Sequence, residues 1–483
     1  MAAAGSRAMP AVTTRIPARL DRLPWSRFHA LVIAALGITW ILDGLEVTIV
    51  GAVSAVLQDR RTLGLTPEEI GAVASFYVAG AVAGALVFGW LTDRFGRKRM
   101  FYLTLAVYLV GVALSAVAQD FWSFALFRAI TGAGIGGEYA AINSAIDELM
   151  PARLRGRIDL IVNGSYWLGA AAGAAATLVL LDPAVLPVNL GWRVGFGIGA
   201  VLGLVILALR RAVPESPRWL VTHGHAQAAE DAVAEIERRV TQRTDLLPVE
   251  DDAPLTIHPR RSFGFILVAR AMLGLYRTRA LLAVVLMLAQ AFLYNALFFT
   301  YGLVLSRFYD VPPQQTGLYL LPLAAGNFLG PLLLGHFFDT IGRRAMISAT
   351  YVVSGLLLAG TGYAFAAGML DAATQTLAWC AIFFFASAAA SAAYLTASEI
   401  FPLETRALAI SCFYAIGTAA GGIVAPWLFG KLIGVGSRWY IFEGYAAAAV
   451  LMLVAALVEW RIGIDAERRS LEAIARPLAA GES

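Results

Sequence analysis

Twelve apolar runs dominate the hydropathy pattern, at about 28–57, 69–91, 100–118, 121–149, 158–181, 190–212, 279–306, 314–338, 345–369, 373–400, 406–433 and 438–460. Short turns rich in glycine, proline and charge separate them, except for one long polar stretch after the sixth run. A helix rises 1.5 Å per residue and needs about 20 apolar residues to cross a bilayer, so each run predicts a transmembrane helix. A membrane barrel would instead require roughly ten-residue strands of alternating polarity, and that pattern does not occur. The expected fold is an all-α membrane protein of twelve transmembrane helices in two pseudo-symmetric six-helix bundles. Its parts are a tail over 1–28, a first bundle over 29–212, a connector over 213–278, a second bundle over 279–460 and a tail over 461–483.

Inside the connector, Ala229, Val233, Ile236 and Val240 recur at helical spacing among charges and predict an amphipathic helix beneath the bundles. A short interfacial helix is expected after Pro214, ending at Gly224. An irregular stretch is expected over 241–261, and a surface-lying apolar segment over 262–274. The first run follows a tail of scattered arginines rather than a compact charged segment, so it is read as a retained helix and not a cleaved leader.

The halves repeat each other. Gly89–Arg99 reads GWLTDRFGRKR and Gly335–Arg344 reads GHFFDTIGRR, with Gly89, Asp93, Gly96 and Arg97 matched by Gly335, Asp339, Gly342 and Arg343. A second pair agrees: Glu148, Pro151 and Arg155 recur as Glu399, Pro402 and Arg406.

With 59% hydrophobic and 14% charged residues, the chain is far poorer in charge than the typical quarter of a soluble protein. The net charge of +4 could suggest a nucleic-acid partner. The basic residues concentrate instead in the tails and in the loops on their side, which by the positive-inside rule places both termini in the cytoplasm. Cys380 and Cys412 fall inside apolar runs, arguing against a disulfide framework or a metal centre. The five histidines lie near the cytoplasmic ends or in the connector without zinc-like spacing, and are expected at the surface or the membrane interface. Gly132, Gly134 and Gly137 form a GxGxxG string, but inside an apolar run rather than after a strand, so it signals close helix packing and no nucleotide. No cofactor is implied. With no phosphate-binding loop to feed ATP, a gradient would have to supply energy.

The twelve-helix layout and the doubled glycine–aspartate–basic loop resemble the major facilitator superfamily. PESPRWL at Pro214–Leu220, SEIFPLETRALA after the tenth run, and Arg128 followed by GAGIGGE are similar to its sugar-porter branch and metabolite-transporting relatives. The resemblance implies a secondary transporter working by alternating access, with gating residues Gly89, Asp93, Arg94, Gly96, Arg97, Glu148, Arg155, Glu215, Arg218, Gly335, Asp339, Gly342, Arg343, Glu399 and Arg406. Gly89 and Gly96 would let the two-helix turn pack closely, while the charges exchange partners and meet helix-end dipoles across the bundles.

Charged groups inside a bilayer cost on the order of 2.5–3.5 kcal/mol each, so those present usually serve a cavity. The interior set read from sequence is Asp43, Glu46, Arg128 and Glu138, two carboxylates in excess. Asp43 and Glu46 share a helix face, and Glu46 and Arg128 fall at similar depth. Sugar porters set a helix 1 acid against a helix 4 arginine, which implies that Glu46 carries a proton and Arg128 displaces it. The alternatives are a static packing pair, or a cationic substrate balancing the charge.

Substrate contacts are expected from Asn163 and Tyr166 in helix 5, from Gln290 and Asn295 in helix 7, and from Ser391 and Tyr394 in helix 10. Asn163 stands where sugar porters carry glutamine, and Gln290 and Asn295 keep that family's five-residue gap. Ala289, Ala390, Ser391 and Tyr394 depart from the sugar pattern. The expected solute is thus a sugar derivative, a polyol, or a carboxylic or aromatic metabolite rather than a hexose. Proton symport into the cell across a plasma or bacterial inner membrane is the leading reading. An uncoupled facilitator or an exporting antiporter stands second, and a transport-derived receptor third. Partners are then the solute, protons and lipid, with no nucleic acid, and the protein is not an enzyme.

Overall fold

The computed structural model describes residues 10–241, 245–246, 254–259, 270–298, 301–311 and 316–478. Among these, nine helices are long and apolar enough to cross a bilayer. Three more complete the twelve: Phe121–Leu149, which carries four charged residues; the pair Arg155–Gly164 and Tyr166–Leu180, broken at Ser165; and Arg406–Gly434. In chain order the spans are 1 Arg27–Val56, 2 Pro67–Phe95, 3 Arg97–Ser115, 4 Phe121–Leu149, 5 Arg155–Leu180, 6 Val188–Leu209, 7 Arg277–Phe298 with Tyr301–Tyr309, 8 Thr316–Thr340, 9 Arg343–Ala366, 10 Ala372–Glu399, 11 Arg406–Gly434 and 12 Arg438–Ile462.

Local sequence fixes where several spans start. Thr66 with Glu69, Asp120 with Ser123 and Asp371 with Thr374 form capping boxes at the starts of spans 2, 4 and 10, all at the end remote from the termini. On the terminus face, spans 2 and 3 meet at Gly96 (φ 93°) and spans 8 and 9 at Gly342 (φ 123°). Those backbone angles strain any side chain, so glycine permits one helix to follow another without an intervening loop.

Within each half the helices pack through small residues, since lipid supplies no hydrophobic drive between helices. Gly80 and Gly84 of span 2 lie on the backbone of Ala129 and Ala133 of span 4, and Gly132 and Gly136 lie reciprocally on Tyr77 and Ala81. The GxGxxG string therefore sits inside span 4, with Gly134 against Tyr108 and Gly137 against Phe88. The halves meet along span 2 with span 11, span 5 with span 8, and span 4 with span 10. Leu103, Val110, Val201, Leu204, Val450 and Leu457 face outward, as a surface solvated by lipid tails requires.

On the terminus face, the connector helix Ala226–Thr241 buries Ala229, Val233, Ile236 and Val240, as their spacing predicts. It is held to the N-terminal helix Ile16–Asp21 by Arg19 and Arg22, each 2.6 Å from Glu237. Against the upward push of burial, those guanidiniums hold the Glu237 carboxyl below its usual range. The expectation of irregular backbone over 241–261 needs correcting at 255–257, residues 242–244, 247–253 and 260–261 lying outside those described. Leu255–Ile257 pairs antiparallel with Val12–Thr14, Thr13 opposite Thr256. Three residues per strand carry too weak an alternation to be read from sequence. Residues 262–269 lie outside those described.

Candidate functional site

A polar layer and an aromatic layer lie where the halves meet, and a buried ion pair lies inside the first half. Nearest the termini is a symmetric network of charged side chains and helix ends. The Asp93 carboxylate, at the end of span 2, accepts from the backbone N–H groups of Ala407 (3.3 Å) and Leu408 (2.9 Å), the first turn of span 11. Asp339, at the end of span 8, accepts from Gly156 (3.2 Å) and Arg157 (2.7 Å), the first turn of span 5. Each aspartate thus caps a helix of the opposite half, where the helix dipole favours negative charge. Arg97 pairs with Glu148 at 2.7 Å and with Asp93 at 3.2 Å; Arg343 pairs with Glu399 at 3.1 Å and with Asp339 at 2.8 Å. Two further pairs cross between the halves, Arg155–Glu399 at 3.3 Å and Arg406–Glu148 at 3.4 Å. The two aspartate caps and the two crossing pairs hold the halves together on the terminus face, while the other pairs brace the aspartates and glutamates within each half.

Several predicted gate residues differ from expectation. Gly89 serves the seam rather than the turn, because a Cβ there would meet Ser411 and the Ala407 carbonyl of span 11. Gly335 merely touches Arg157. Arg94 is exposed, its guanidinium 5.3 Å from the Trp90 and Phe95 rings. Glu215 accepts from the N–H groups of Arg97 (2.9 Å) and Lys98 (3.2 Å), capping span 3, and burial pushes its carboxyl up. Arg218 binds Asp21 (3.2 Å), Glu472 (2.9 Å) and the Glu148 carbonyl (2.8 Å), so both tails join the gate. Sequence reasoning missed Asp21 and Glu472, which sit in polar tails among many charges.

The histidines need a second correction. His29 is fully buried, and His223 stacks on Trp219 at 4.3 Å, where burial pushes its imidazole down to about 4. Sequence position near a membrane end does not reveal that the connector folds over it.

Deeper in, Arg128 of span 4 pairs with Glu46 of span 1, both 2% exposed, and its guanidinium lies 4.6 Å from the Tyr77 ring. Removing either partner of such a buried pair leaves an uncompensated charge at a cost of about 3–5 kcal/mol. Asp43, one turn before Glu46, accepts hydrogen bonds from the hydroxyls of Tyr139 and, at 3.4 Å, Tyr77. Glu138, placed with this group by sequence, sits about 15 Å further along span 4. It pairs there with Arg210 at the end of span 6, which also binds the Thr39 hydroxyl and the Phe101 carbonyl. The interior imbalance therefore falls from two excess carboxylates to one in this region.

Beside Asp43 lies an aromatic group drawn from both halves. Trp40 stacks on Tyr139 at 4.4 Å with 4° between planes; Tyr414 meets Tyr139 at 5.2 Å, and Tyr394 meets Trp40 at 6.2 Å. Trp167 faces Tyr294 at 6.0 Å, and Tyr166 packs edge-on to Trp167. The Trp40 indole N–H is buried without an acceptor among the described residues. Of the residues expected to touch substrate, only Tyr394 and Tyr166 join these rings. Asn163 bonds Asp159 and Asn143, Asn295 bonds its own helix at Ala291, Gln290 lies 3.8 Å from the Met287 sulfur, and Ser391 is buried in span 10. Trp40, Tyr77, Tyr139 and Tyr414 were missed because aromatic residues are common in apolar helices and only the packing converges them. No group of metal-ligating side chains occurs among the described residues.

Comparison with known proteins agrees with this architecture. A niacin transporter, NiaP of Acinetobacter baylyi, is 26% identical over 458 residues, covering 94% of this chain and 98% of its own. The inner membrane metabolite transport protein YdjE of Escherichia coli is 25% identical, covering 95% and 98%. The solved proton:xylose symporter XylE superposes with a TM-score of 0.77 at 18% identity over 93% of this chain and 98% of its own, a likeness of fold. Residues 30–474 match the model described as sugar (and other) transporter, and the chain belongs to that family of the major facilitator fold.

Proposed function

We propose that this transporter carries a small planar aromatic acid inward together with a proton, both termini lying in the cytoplasm of a bacterial inner membrane. The observation that carries the reading is the Trp40–Tyr139 stack, faced by Tyr394 and Tyr414 of the other half, with an unused indole N–H beside it. A flat ring would stack there, gaining about 0.5–1.5 kcal/mol per aromatic pair beyond its burial. Its carboxylate or ring nitrogen would accept from Trp40. The niacin transporter among the relatives handles a solute of this chemistry.

Glu46 and Arg128 supply the coupling. A solute carboxylate arriving near Arg128 competes for the guanidinium, and Glu46, released into an apolar surround, takes up a proton. Carboxylate and proton then move together without net charge, which spares the bilayer crossing the cost of an ion. Once the terminus face opens, water lets the proton leave and the Glu46–Arg128 pair re-forms.

The test uses purified protein in liposomes with an acidic exterior. Uptake of labelled nicotinate should be competed by benzoate-like acids and only weakly by myo-inositol or xylose. A polyol or sugar that outcompetes the aromatic acids sinks this assignment.

A further inference from the structure

Beneath the gate lies a second pair of carboxyls. Asp147 of span 4 and Asp159 of span 5 are both fully buried, and neither has a cationic group within ion-pair distance among the described residues. The four guanidiniums of this layer are committed elsewhere: Arg97 and Arg406 to Glu148, Arg155 and Arg343 to Glu399. Asp147 Oδ2 accepts from the hydroxyl of Ser398 in span 10, across the seam, while its Oδ1 has no partner among the described residues. Asp159 Oδ2 accepts from Asn163 Nδ2 at 3.1 Å, and its Oδ1 likewise has no partner among them.

Asn163 joins Asp159 to span 4. It is 7% exposed, its Nδ2 also lies 3.3 Å from Asn143 Oδ1, and its own Oδ1 is unpartnered among the described residues. Asn143 stands one turn before Asp147, and Asp159 one turn before Asn163, so the four side chains occupy the facing sides of spans 4 and 5. The charged groups facing Asp147 are Glu399, Arg155 and Arg406; those facing Asp159 are Asp147, Glu399 and Arg343. Two carboxylates without paired cations in a buried seam would carry an uncompensated desolvation cost, and a proton on each removes it.

We infer that Asp147 and Asp159 form a proton-binding site distinct from Glu46, loaded when the terminus face is closed and emptied into water when it opens. Each acid goes from COOH to COO⁻ on opening, and its proton passes to the solvent on that face. The sign follows. The closed seam holds the protonated forms, so low pH favours closure and rising pH favours opening. With two protons released per opening, the open-to-closed ratio changes by up to about a hundredfold per pH unit once the open-state acids ionise. The inference needs only that the halves separate; it stands whatever solute is carried and whether or not Glu46 is the coupling acid.

The experiment places nitroxide labels at the exposed Arg99 and Thr340, one in each half near the terminus face, and measures their distance from pH 5 to 8 without solute. In the unsubstituted protein the long-distance population rises steeply with pH. Asp147→Asn and Asp159→Asn each lower the slope by one proton, the double variant stays closed throughout, and Glu46→Gln keeps the slope. Ser398→Ala, which removes the cross-seam hydrogen bond to Asp147 but keeps both carboxyls, moves opening to lower pH and serves should an Asn variant fold poorly. A distance insensitive to pH, or a slope that survives in the double variant, overturns the inference. A response to sodium against choline at fixed pH also overturns it, by giving the site to a metal cation.

Discussion

Asp93→Asn probes the gate most directly, because Asp93 and its two N–H partners lie on opposite halves. Asparagine keeps one acceptor oxygen but turns an NH₂ group toward one of the two backbone donors, and it removes the charge that faces the start of span 11. A hydrogen bond to a charged group contributes about 1.5–3 kcal/mol, and the lost dipole interaction about 0.3–1 kcal/mol more, so the closed face loses about 3 kcal/mol. At 1.4 kcal/mol per decade this moves the open-to-closed ratio by roughly a hundredfold. Arg97 keeps Glu148 at 2.7 Å, so the loss does not spread to an orphaned guanidinium. The Arg99–Thr340 label pair should report more of the long distance at every pH, and transport should slow with KM within about twofold, as expected when a step other than binding is altered. Asp339→Asn, in the matching position, should do the same, and the two effects should nearly add because they act at different helix ends. An unchanged distance distribution, or a large loss of affinity at normal turnover, refutes the gate as described.

Three further outcomes follow from the geometry. Glu46→Gln should abolish uphill, proton-driven accumulation in vesicles while leaving exchange of labelled for unlabelled solute intact; undiminished accumulation removes Glu46 from the cycle. Trp40→Ala should weaken binding of an aromatic acid by about tenfold or more, through loss of one stacking face and the indole N–H, read as a raised KM or a lost ligand-induced thermal shift. His223, neutral in the fold down to about 4 against about 6.5 when unfolded, makes the unfolded chain the better proton binder between those values. Stability therefore falls as pH drops from 6.5 to 4, by about 3 kcal/mol in all, and His223→Phe should flatten that part of a thermal-unfolding profile.

Sequence by itself determined the membrane character, the twelve spans, the duplicated halves and the amphipathic connector helix, because each is written in local periodicity, length and spacing. The matched charged clusters on the terminus face were also legible, since a glycine, an aspartate and an arginine at fixed spacing recur together in both halves. Glu46 and Arg128 could be matched from equal depth along antiparallel helices, which is simple arithmetic on helix rise. Only the tertiary structure decided which charges are satisfied. Arg210 turns out to pair with Glu138, while Asp147 and Asp159 make no ion pair among the described residues. That depends on which faces of non-adjacent helices meet, and pairs so distant along the chain leave no trace in local pattern. The aromatic group at Trp40, Tyr139, Tyr394 and Tyr414 is of the same kind: each ring reads as ordinary filling of an apolar helix, and convergence across the seam alone makes them a surface for a ligand.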